Sequence, residues 1–312
     1  MARHVLITGA SGFIGRHVVR TAFGRPDITI QLVLHHDAPP AAARRGVDTV
    51  RADLSDPASV RGLCRGVDAV VHCASRVSGD EEVLRAVNDR GTEALMADAL
   101  RHGVRRVVYV STAAVYGRGP FREADARSLS VRPLSAASRT RAAAERHVLA
   151  AGGTVLRPHL VYGTGDRWVI PGLAWLMLRL GAAPTCTSSH SAVDVDALAR
   201  AALAAALSDR DPAGVHHVNH PCPVRGQDLV EAVLAHLRQG VTGTVVPDLA
   251  KARLADDPRA LHHFEMLATD HWFAGDDVWR LLGCDPGTDP VRGLARHARW
   301  YREQLGSLRA GG

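Results

Sequence analysis

The stretch "RHVLITGASGFIG", residues 3–15, decides the fold of this 312-residue chain. It begins as a short apolar run with branched side chains, which is typical of a buried strand. Three glycines, Gly9, Gly12 and Gly15, follow at once, and residues 16–23 then show helical spacing. Such glycines let the backbone turn tightly and approach a pyrophosphate at the positive end of a helix. The stretch therefore predicts a dinucleotide-binding strand–turn–helix unit.

Working outward, strands alternate with helices through the first half of the chain. Further strands are predicted at 28–34, 69–75, 105–112 and 154–158, with helical patterns at 57–64, 81–102 and 138–151. Alternation of this kind predicts an α/β protein with a Rossmann-type doubly wound parallel sheet covered on both faces.

The pattern loosens after about residue 162, and all five tryptophans lie beyond that point. We expect a dinucleotide-binding domain at residues 1–162. A smaller, mainly helical substrate domain should follow at 163–312, with segments at about 190–220 returning to the Rossmann sheet.

Composition excludes several classes of protein. The chain is 46% hydrophobic and 22% charged, as in an ordinary globular protein. The best apolar run, residues 169–180, is interrupted by Pro171, Gly172 and Arg179, so it does not predict a membrane span. The N-terminus lacks the features of a signal peptide, and we expect a cytoplasmic protein without a membrane partner.

Charge and cysteine content predict neither a nucleic-acid partner nor a disulfide framework. The net charge is +6, Lys251 is the only lysine, and the arginines form no basic block. The five cysteines form no C-x-x-C pair. Histidine pairs at 216–217 and 262–263 point to opposite faces if they lie on strands, and no nearby acid completes a ligand set. We therefore expect no metal site.

The spacing G-x-x-G-x-x-G resembles the short-chain dehydrogenase/reductase superfamily, in its extended, epimerase-like branch. Further motifs carry the resemblance: "ADL" (52–54), "HCAS" (72–75), "VNDRGTEAL" (87–95), "VSTAAVYG" (110–117), "LRPHLVYG" (156–163), "VDVDALARA" (193–201) and "VHHVN" (215–219). The resemblance implies that Asp53 contacts the adenine amine and that the backbone near Pro158 contacts the nicotinamide amide.

The cofactor contacts implied by motif and resemblance are spread over the first 160 residues. They are Gly9, Ser11, Gly12, Phe13, Ile14, Gly15, Arg16, His35, His36, Asp53, Leu54, Cys73, Ala74, Ser75, Val110, Arg141, Pro158, His159 and Leu160.

The end of the second predicted strand favours NADP(H) over NAD(H). Dehydrogenases that use NAD usually carry an acid there, about 20 residues after the glycines, to bind the ribose 2′-hydroxyl. This chain has His35 and His36, with Asp37 just past the expected place, and Arg16 stands beside the last glycine. That local charge suits a 2′-phosphate, although the histidines could simply be a solvated strand end.

The catalytic residues that the resemblance implies are incomplete. The family uses a hydroxyl, a tyrosine and a lysine four residues after the tyrosine. Thr112 matches the hydroxyl position, with Ser111 as an alternative, but Ala137 and Arg141 stand where the tyrosine and lysine are expected. No Y-x-x-x-K occurs anywhere in the chain. An arginine is no general acid, because its pKa exceeds about 12.

Several functions remain open after this loss. We favour an NADPH-dependent ketoreductase acting on a polycyclic aromatic, angucyclinone-like ketone, with the proton supplied by a phenol of the substrate or by solvent. General acid catalysis is worth about 10²–10⁴-fold, so its loss slows such a reaction without abolishing it. The combination resembles atypical ketoreductases of antibiotic pathways. The alternatives are a sugar-nucleotide epimerase or dehydratase and a non-catalytic NAD(P)-binding redox sensor.

Two further expectations concern His159 and assembly. His159 follows Pro158 beside the expected nicotinamide position and could relay a proton, but a structural role is favoured. The protein is expected to be a monomer or a homodimer.

Overall fold

The computed structural model describes residues 2–35, 46–237 and 240–306. The strands are β1 (Arg3–Thr8), β2 (Ile28–Leu34), β3 (Val47–Arg51), β4 (Ala69–His72), β5 (Arg106–Val110), β6 (Phe121–Ala124), β7 (Thr154–Arg157), β8 (Leu160–Tyr162), β9 (Ala183–Pro184), β10 (Ser189–His190), β11 (Ala192–Asp194), β12 (Gly214–His217), β13 (Val224–Arg225), β14 (Thr244–Val245) and β15 (His271–Phe273).

Helices separate these strands. They are α1 (Phe13–Phe23), α2 (Pro57–Val60), α3 (Glu81–Arg85), α4 (Gly91–Arg101), α5 (Ala136–Ala150), α6 (Val169–Leu180), α7 (Val195–Leu207), α8 (Gly226–Leu234), α9 (Pro247–Arg253), α10 (Pro258–Ala268), α11 (Asp276–Leu282), α12 (Pro290–Arg296) and α13 (Ala298–Leu305).

The main sheet confirms the predicted fold class. Its seven strands run in the order β12-β7-β5-β4-β1-β2-β3, and every pairing in it is parallel. The chain order reverses between β1 and β4, which is the point where doubly wound sheets bind ligands beyond the carboxyl ends of their strands. The loop after β1 and the loop after β4 therefore open onto one crevice.

Each face of the sheet is buried under helices. One apolar cluster joins α1 and the alanine-rich α7 to the strands, and a second joins the strands to α4 and α5. Alanines such as Ala197 and Ala201 are fully buried, which lets α7 approach α1 closely. Burial of apolar area contributes about 25 cal/mol per Å², so both layers stabilise the sheet.

Some predicted elements differ from those observed. The strand β3 was not predicted, because "VDTVR" forms a half-exposed edge with few apolar residues. The predicted helix at 57–64 ends at Val60, since Gly62 and Gly66 adopt φ values of +84° and +72°. The helix predicted at 81–102 is nearly continuous, but residues 86–90 form a π-helical turn around the buried Asn88.

The C-terminal half adds small sheets and helices around a separate core. A four-stranded sheet has the order β13-β10-β15-β6, and two-stranded pairs join β11 to β8 and β14 to β9. The second core is built from side chains that include Leu176, Phe264 and Tyr301. The domain boundary at residue 162 stays a prediction. None of the described helices is long and apolar enough to cross a membrane.

Candidate active site

The glycine turn brings the backbone after β1 against the backbone after β4. The Gly12 N–H donates to the Gly9 carbonyl at 2.9 Å. A Cβ on Gly15 would lie 2.0 Å from that same carbonyl oxygen, and a Cβ on Gly9 would lie 2.6 Å from the Ala74 nitrogen. Both positions therefore exclude any side chain. Ser11 is exposed, and α1 begins at Phe13.

Buried hydroxyl and imidazole groups fix the end of β4. The Thr8 hydroxyl oxygen accepts from the Ala74 N–H at 3.2 Å and lies 2.6 Å from the Nδ1 of His72. Burial raises the pKa of the Cys73 thiol to about 12, so it stays protonated. The Ser75 Oγ is buried and has no hydrogen-bond partner among the described residues. It is thus a polar atom without a protein partner in the described part of the chain, and a bound ligand can satisfy it.

The predicted adenine end is already ordered by hydrogen bonds. One carboxylate oxygen of Asp53 accepts from the backbone N–H and the hydroxyl of Ser55, at 2.8 and 2.7 Å. The other lies 3.2 Å from the Nε2 of His35. Hydrogen bonding by Ser55 lowers the pKa of Asp53. Leu54 is buried, and His36 lies outside the described residues.

Two arginines lie near the glycine turn. The Nε of Arg16 donates to the Gly12 carbonyl at 3.1 Å, so its guanidinium folds back over the turn. Burial, followed by the positive charge of Arg167, lowers the pKa of Arg16. Both residues are exposed to solvent. The turn therefore carries concentrated positive charge in addition to its backbone N–H groups.

The two candidate hydroxyls after β5 differ in their partners. Ser111 is 1% exposed and donates to an oxygen of Glu145 at 2.5 Å. The Thr112 oxygen caps a short 3₁₀ helix, Ala113–Tyr116, by accepting from the Ala114 N–H at 3.1 Å. Thr112 is half-buried, and its hydroxyl proton remains available to donate. Thr112 is therefore better suited than Ser111 to contact a ligand.

The helix α5 places Ala137 and Arg141 on one face, four residues apart. Arg141 reaches the end of β5, where its Nη2 donates to the Val110 carbonyl at 2.9 Å. Its Nε is buried and has no hydrogen-bond partner among the described residues. The positive charge of Arg141 also acts on the buried Tyr109 hydroxyl, where it opposes the rise in the pKa of Tyr109 that burial causes.

The sequence did not reveal a buried polar network behind this edge. Glu145 accepts from the Nε of Arg157 at 2.9 Å and also pairs with its Nη2. The Nη1 of Arg157 donates to the Tyr116 hydroxyl at 2.8 Å, and that hydroxyl lies 2.7 Å from the Nε2 of His217. Each of these residues is at most 4% exposed. In the sequence, only the charged residues Glu145 in a predicted helix and Arg157 in a predicted buried strand could have indicated this network.

Backbone hydrogen bonds fix the segment after β7 beside Thr112. The Pro158 carbonyl accepts from the Ala113 N–H at 2.8 Å. The His159 N–H donates to the Oδ1 of Asn219 at 2.8 Å, and the Leu160 N–H donates to the Ser191 carbonyl at 3.2 Å. The bond from Ala113 to Pro158 therefore holds Pro158 close to Thr112. One ligand could contact both residues.

A mainly apolar cavity of about 190 Å³ lies next to this segment. His159, Leu160 and His190 form one side of it, and Leu173, Leu176 and Met266 are among its other lining residues. Burial lowers the pKa of His159 well below its ordinary value, and the neighbouring imidazoles lower it further.

Of the tryptophans, Trp168 lines this cavity and is 62% exposed at its rim. Trp279 instead donates to the Asn219 carbonyl inside the core.

Comparison with known proteins defines the family. Residues 5–219 match the NAD dependent epimerase/dehydratase family. A 2-alkyl-3-oxoalkanoate reductase of Stenotrophomonas maltophilia is 28% identical over 94% of this chain and 97% of that protein. A 4-hydroxy-2-methyl-3-oxo-4-farnesyl-3,4-dihydroquinoline-1-oxide ketoreductase of Stigmatella aurantiaca is 31% identical over 54% of this chain and 53% of that protein.

A solved structure agrees with the fold over its whole length. It is a double mutant of DesIV, a dTDP-glucose 4,6-dehydratase of Streptomyces venezuelae, with NAD and DAU bound. It matches with a TM-score of 0.75 at 25% identity, covering 97% of this chain and 98% of that one. The chain therefore belongs to the NAD-dependent epimerase/dehydratase family, the extended branch of short-chain dehydrogenases/reductases predicted from its motifs. It is an enzyme related to reductases, epimerases and dehydratases.

Proposed function

We propose that the protein is an NADPH-dependent ketoreductase that acts on a polycyclic aromatic, angucyclinone-like ketone without a catalytic tyrosine. A phenol of the substrate, or solvent, supplies the proton. The observation that carries the proposal is the burial of every phenol in the chain. Tyr109, Tyr162 and Tyr301 are each 1% exposed, and Tyr116 is 3% exposed. Ala137 stands where the family's tyrosine would act.

The crevice at the switch point fits a nicotinamide dinucleotide. The glycine turn has space only for backbone, and two buried donors, the Ser75 hydroxyl and the Arg141 Nε, have no partner among the described residues. The residues that would hold the dinucleotide are those predicted from the motifs, from Gly9 to Leu160. When bound, the cofactor supplies the hydride.

The chain's own groups then orient the ketone. Thr112 can donate its hydroxyl proton to the carbonyl oxygen, because that oxygen is an acceptor and the Thr112 oxygen already accepts from the Ala114 N–H. Arg141 places positive charge at the end of β5, where negative charge develops on the reduced oxygen. Neither group delivers a proton as a general acid at neutral pH.

Preference for NADPH is supported by charge. Arg16 and Arg167 concentrate positive charge beside the glycine turn, and Asp53, which was predicted to contact the adenine amine, is already bonded to Ser55. A dianionic 2′-phosphate gains from arginine donors, whereas a ribose hydroxyl gains less. Replacement of Arg16 by alanine should therefore weaken NADPH binding more than NADH binding.

The cavity beside His159 supports an aromatic ketone bound at one end. Its volume of about 190 Å³ is below the roughly 300–1,000 Å³ typical of sites that enclose a drug-sized ligand. It would therefore enclose the ketone-bearing rings and leave the rest of a fused system against the exposed Trp168. The ketoreductase of Stigmatella aurantiaca, whose name describes a dihydroquinoline substrate, supports a ketone fused to an aromatic ring.

A paired substrate assay tests the proposal. The purified protein is given NADPH or NADH with a hydroxylated anthraquinone-like ketone, and in parallel with the same ketone methylated on the hydroxyl beside the carbonyl. We expect faster turnover with NADPH and a loss of about 10²–10⁴-fold on methylation if the phenol is the proton source. Equal rates would assign the proton to solvent.

Other outcomes would replace the proposal. Turnover of sugar nucleotides without added NADPH would identify an epimerase or dehydratase. Tight NADPH binding with no ketone reduced across a broad panel of aromatic polyketides would identify a sensor. As a matched control for the pocket, His262→Gln alters an exposed histidine on α10 outside the cavity lining and should leave all rates unchanged.

A further inference from the structure

Three histidines far apart in sequence meet beside the candidate site. His159 follows β7, His190 ends β10 and His271 begins β15. One ring nitrogen from each lies within 4.8 Å of the others. The ring centroids are 5.4 Å apart for His159 and His271, 6.1 Å for His159 and His190, and 6.2 Å for His190 and His271.

Backbone pairing fixes the three segments relative to one another. His190 and His271 are register partners on parallel strands, which places their side chains next to each other. The Ser191 N–H donates to the His271 carbonyl at 2.9 Å, and the Leu160 N–H donates to the Ser191 carbonyl at 3.2 Å. The histidines are therefore presented by a hydrogen-bonded scaffold, as precise ligand sites require.

Hydrogen bonds to backbone carbonyls determine which ring nitrogen of His190 and of His271 carries the proton. The Nε2 of His190 lies 3.0 Å from the Leu267 carbonyl, and the Nδ1 of His271 lies 2.8 Å from the Thr269 carbonyl. A carbonyl only accepts, so these nitrogens carry the protons and the opposite nitrogens keep lone pairs. Metal-binding histidines are oriented in this way, by donating their other N–H to a backbone carbonyl.

The ring nitrogens of His159 and the Nε2 lone pair of His271 are available to bind a metal ion. Neither ring nitrogen of His159 makes a hydrogen bond within the described parts of the chain; its only polar anchor there is its backbone N–H. The Nε2 of His271 accepts one long hydrogen bond, 3.3 Å, from the Gly119 N–H, which a stronger electrophile would displace.

We propose that His159, His190 and His271 bind one divalent transition-metal ion of the Zn²⁺ type. Bonds of about 2.0–2.1 Å to three imidazoles at tetrahedral angles would put the ring centroids about 5 Å apart. The observed spacings are 5.4 to 6.2 Å, and the three rings are nearly parallel, with interplanar angles of 8° to 14°, so the rings must rotate out of parallel to direct their lone pairs at one ion. Imidazole nitrogens suit zinc, nickel and copper, and no oxygen ligand of the kind magnesium requires is in this set.

Two of the three histidines also line the cavity proposed for the substrate. His159 and His190 both line the apolar cavity of about 190 Å³ next to the candidate nicotinamide position. Three protein ligands with one open position are the arrangement of catalytic rather than structural zinc sites. An oxygen donor on a molecule in the cavity could fill that position.

This inference does not rest on the proposed function. It also differs from the expectation of no metal, which was argued from adjacent histidine pairs, because these three come from separate segments.

Metal titration tests the site without any ketone. The full chain is treated with a chelator, then titrated with Co²⁺, whose visible absorption reports coordination, and with Zn²⁺ in competition with a chromophoric chelator. We expect one ion per chain and a rise in the unfolding temperature that grows with ion concentration. His159→Gln should lower the affinity at least about tenfold, since even outer-shell changes cost 10–100-fold.

Controls separate this site from surface binding. His159 is half-buried, so its variant is expected to fold, which circular dichroism checks; His190→Gln and His271→Gln are secondary because both rings are buried. His262→Gln and His220→Gln change histidines outside the cluster, the second beside the exposed Cys222. Both should bind like the wild type. The proposal is overturned by an absence of saturable one-to-one binding, by unchanged affinity in folded His159→Gln, or by loss of binding in His220→Gln.

Discussion

The beginning and the middle of α5 (Ala136–Ala150) differ in what they retain. Ala137, in the first turn, offers no functional group, and Arg141, one turn later, donates from its Nη2 to the Val110 carbonyl. Glu145, a further turn along the same face, is 2% exposed and accepts from Ser111 and twice from Arg157. The helix is thus anchored by Glu145, which lies outside the two positions where the family has its tyrosine and lysine.

This difference explains how the helix persists without a catalytic acid. A buried carboxylate must keep its charged partner, because an unpaired charge in the interior costs several kcal/mol. Ala137 carries no charge and Arg141 is only half-buried, so this constraint is weaker at both positions. The residue that stabilises the fold and the positions that transfer a proton in the family therefore lie on different turns of α5. The proton-transfer positions can change while Glu145 is kept.

The largest effect should come from breaking the retained turn. Arg157→Met leaves Glu145 buried without its partner, and we expect the free energy of unfolding to fall by about 3–5 kcal/mol, as measured by urea denaturation. The double variant Arg157→Met/Glu145→Leu removes both charges and should recover part of that loss. A single variant as stable as the wild type would show that Glu145 does not anchor the helix.

His217, at the other end of the same hydrogen-bond network, should make the free energy of unfolding depend on pH. Burial lowers the pKa of His217 from 6.5 to about 4. Between these values the unfolded chain binds a proton that the folded chain does not, so the stability from His217 is complete above pH 6.5 and declines as the pH falls toward 4.

The loss from His217 should be on the order of 3 kcal/mol, at about 1.36 kcal/mol per pKa unit. His217→Gln should reduce the pH dependence of unfolding in this window, while the wild type keeps it. Parallel pH curves for the two proteins would contradict the assignment.

At the second turn, Arg141 should matter for cofactor binding more than for stability. Arg141→Met removes a buried Nε donor that has no partner among the residues the structure describes, and we expect NADPH affinity to fall about tenfold, the equivalent of one charge-assisted hydrogen bond. Arg141→Lys keeps the charge and should lose less. Fluorescence titration measures both, and an unchanged affinity in Arg141→Met would place Arg141 outside the cofactor site.

The smallest effect is expected at the first turn. Ala137→Tyr restores a phenol without the lysine that lowers its pKa, and its bulk would occupy space that the substrate needs. We expect no increase in the rate of ketone reduction under saturating NADPH. A large gain in rate would mean that the missing acid limits the enzyme, and the proposed proton source would then be wrong.

The local pattern predicted the parts of the fold that depend on neighbouring residues. Short apolar runs predicted β1, β2, β4, β5 and β7. The glycine spacing predicted the turn at Gly9, where glycine is required because φ is +68° and a Cβ would meet Ala74. The edge strand β3 was missed because half-exposed strands carry little apolar signal. The motifs predicted Thr112 as the active hydroxyl with Ser111 as an alternative, which stays a prediction, and the structure adds that Ser111 is already bonded to Glu145.

The sequence by itself determined the family, the glycine turn and the loss of the tyrosine–lysine pair, since each depends on residue identity at short spacing. Tertiary structure alone decided which polar groups meet. The Ser111–Glu145–Arg157–Tyr116–His217 network and the cluster of His159, His190 and His271 join residues from strands and helices distant along the chain. Their proximity comes from parallel strand register and from the burial of charges that must find partners, and no local periodicity records either.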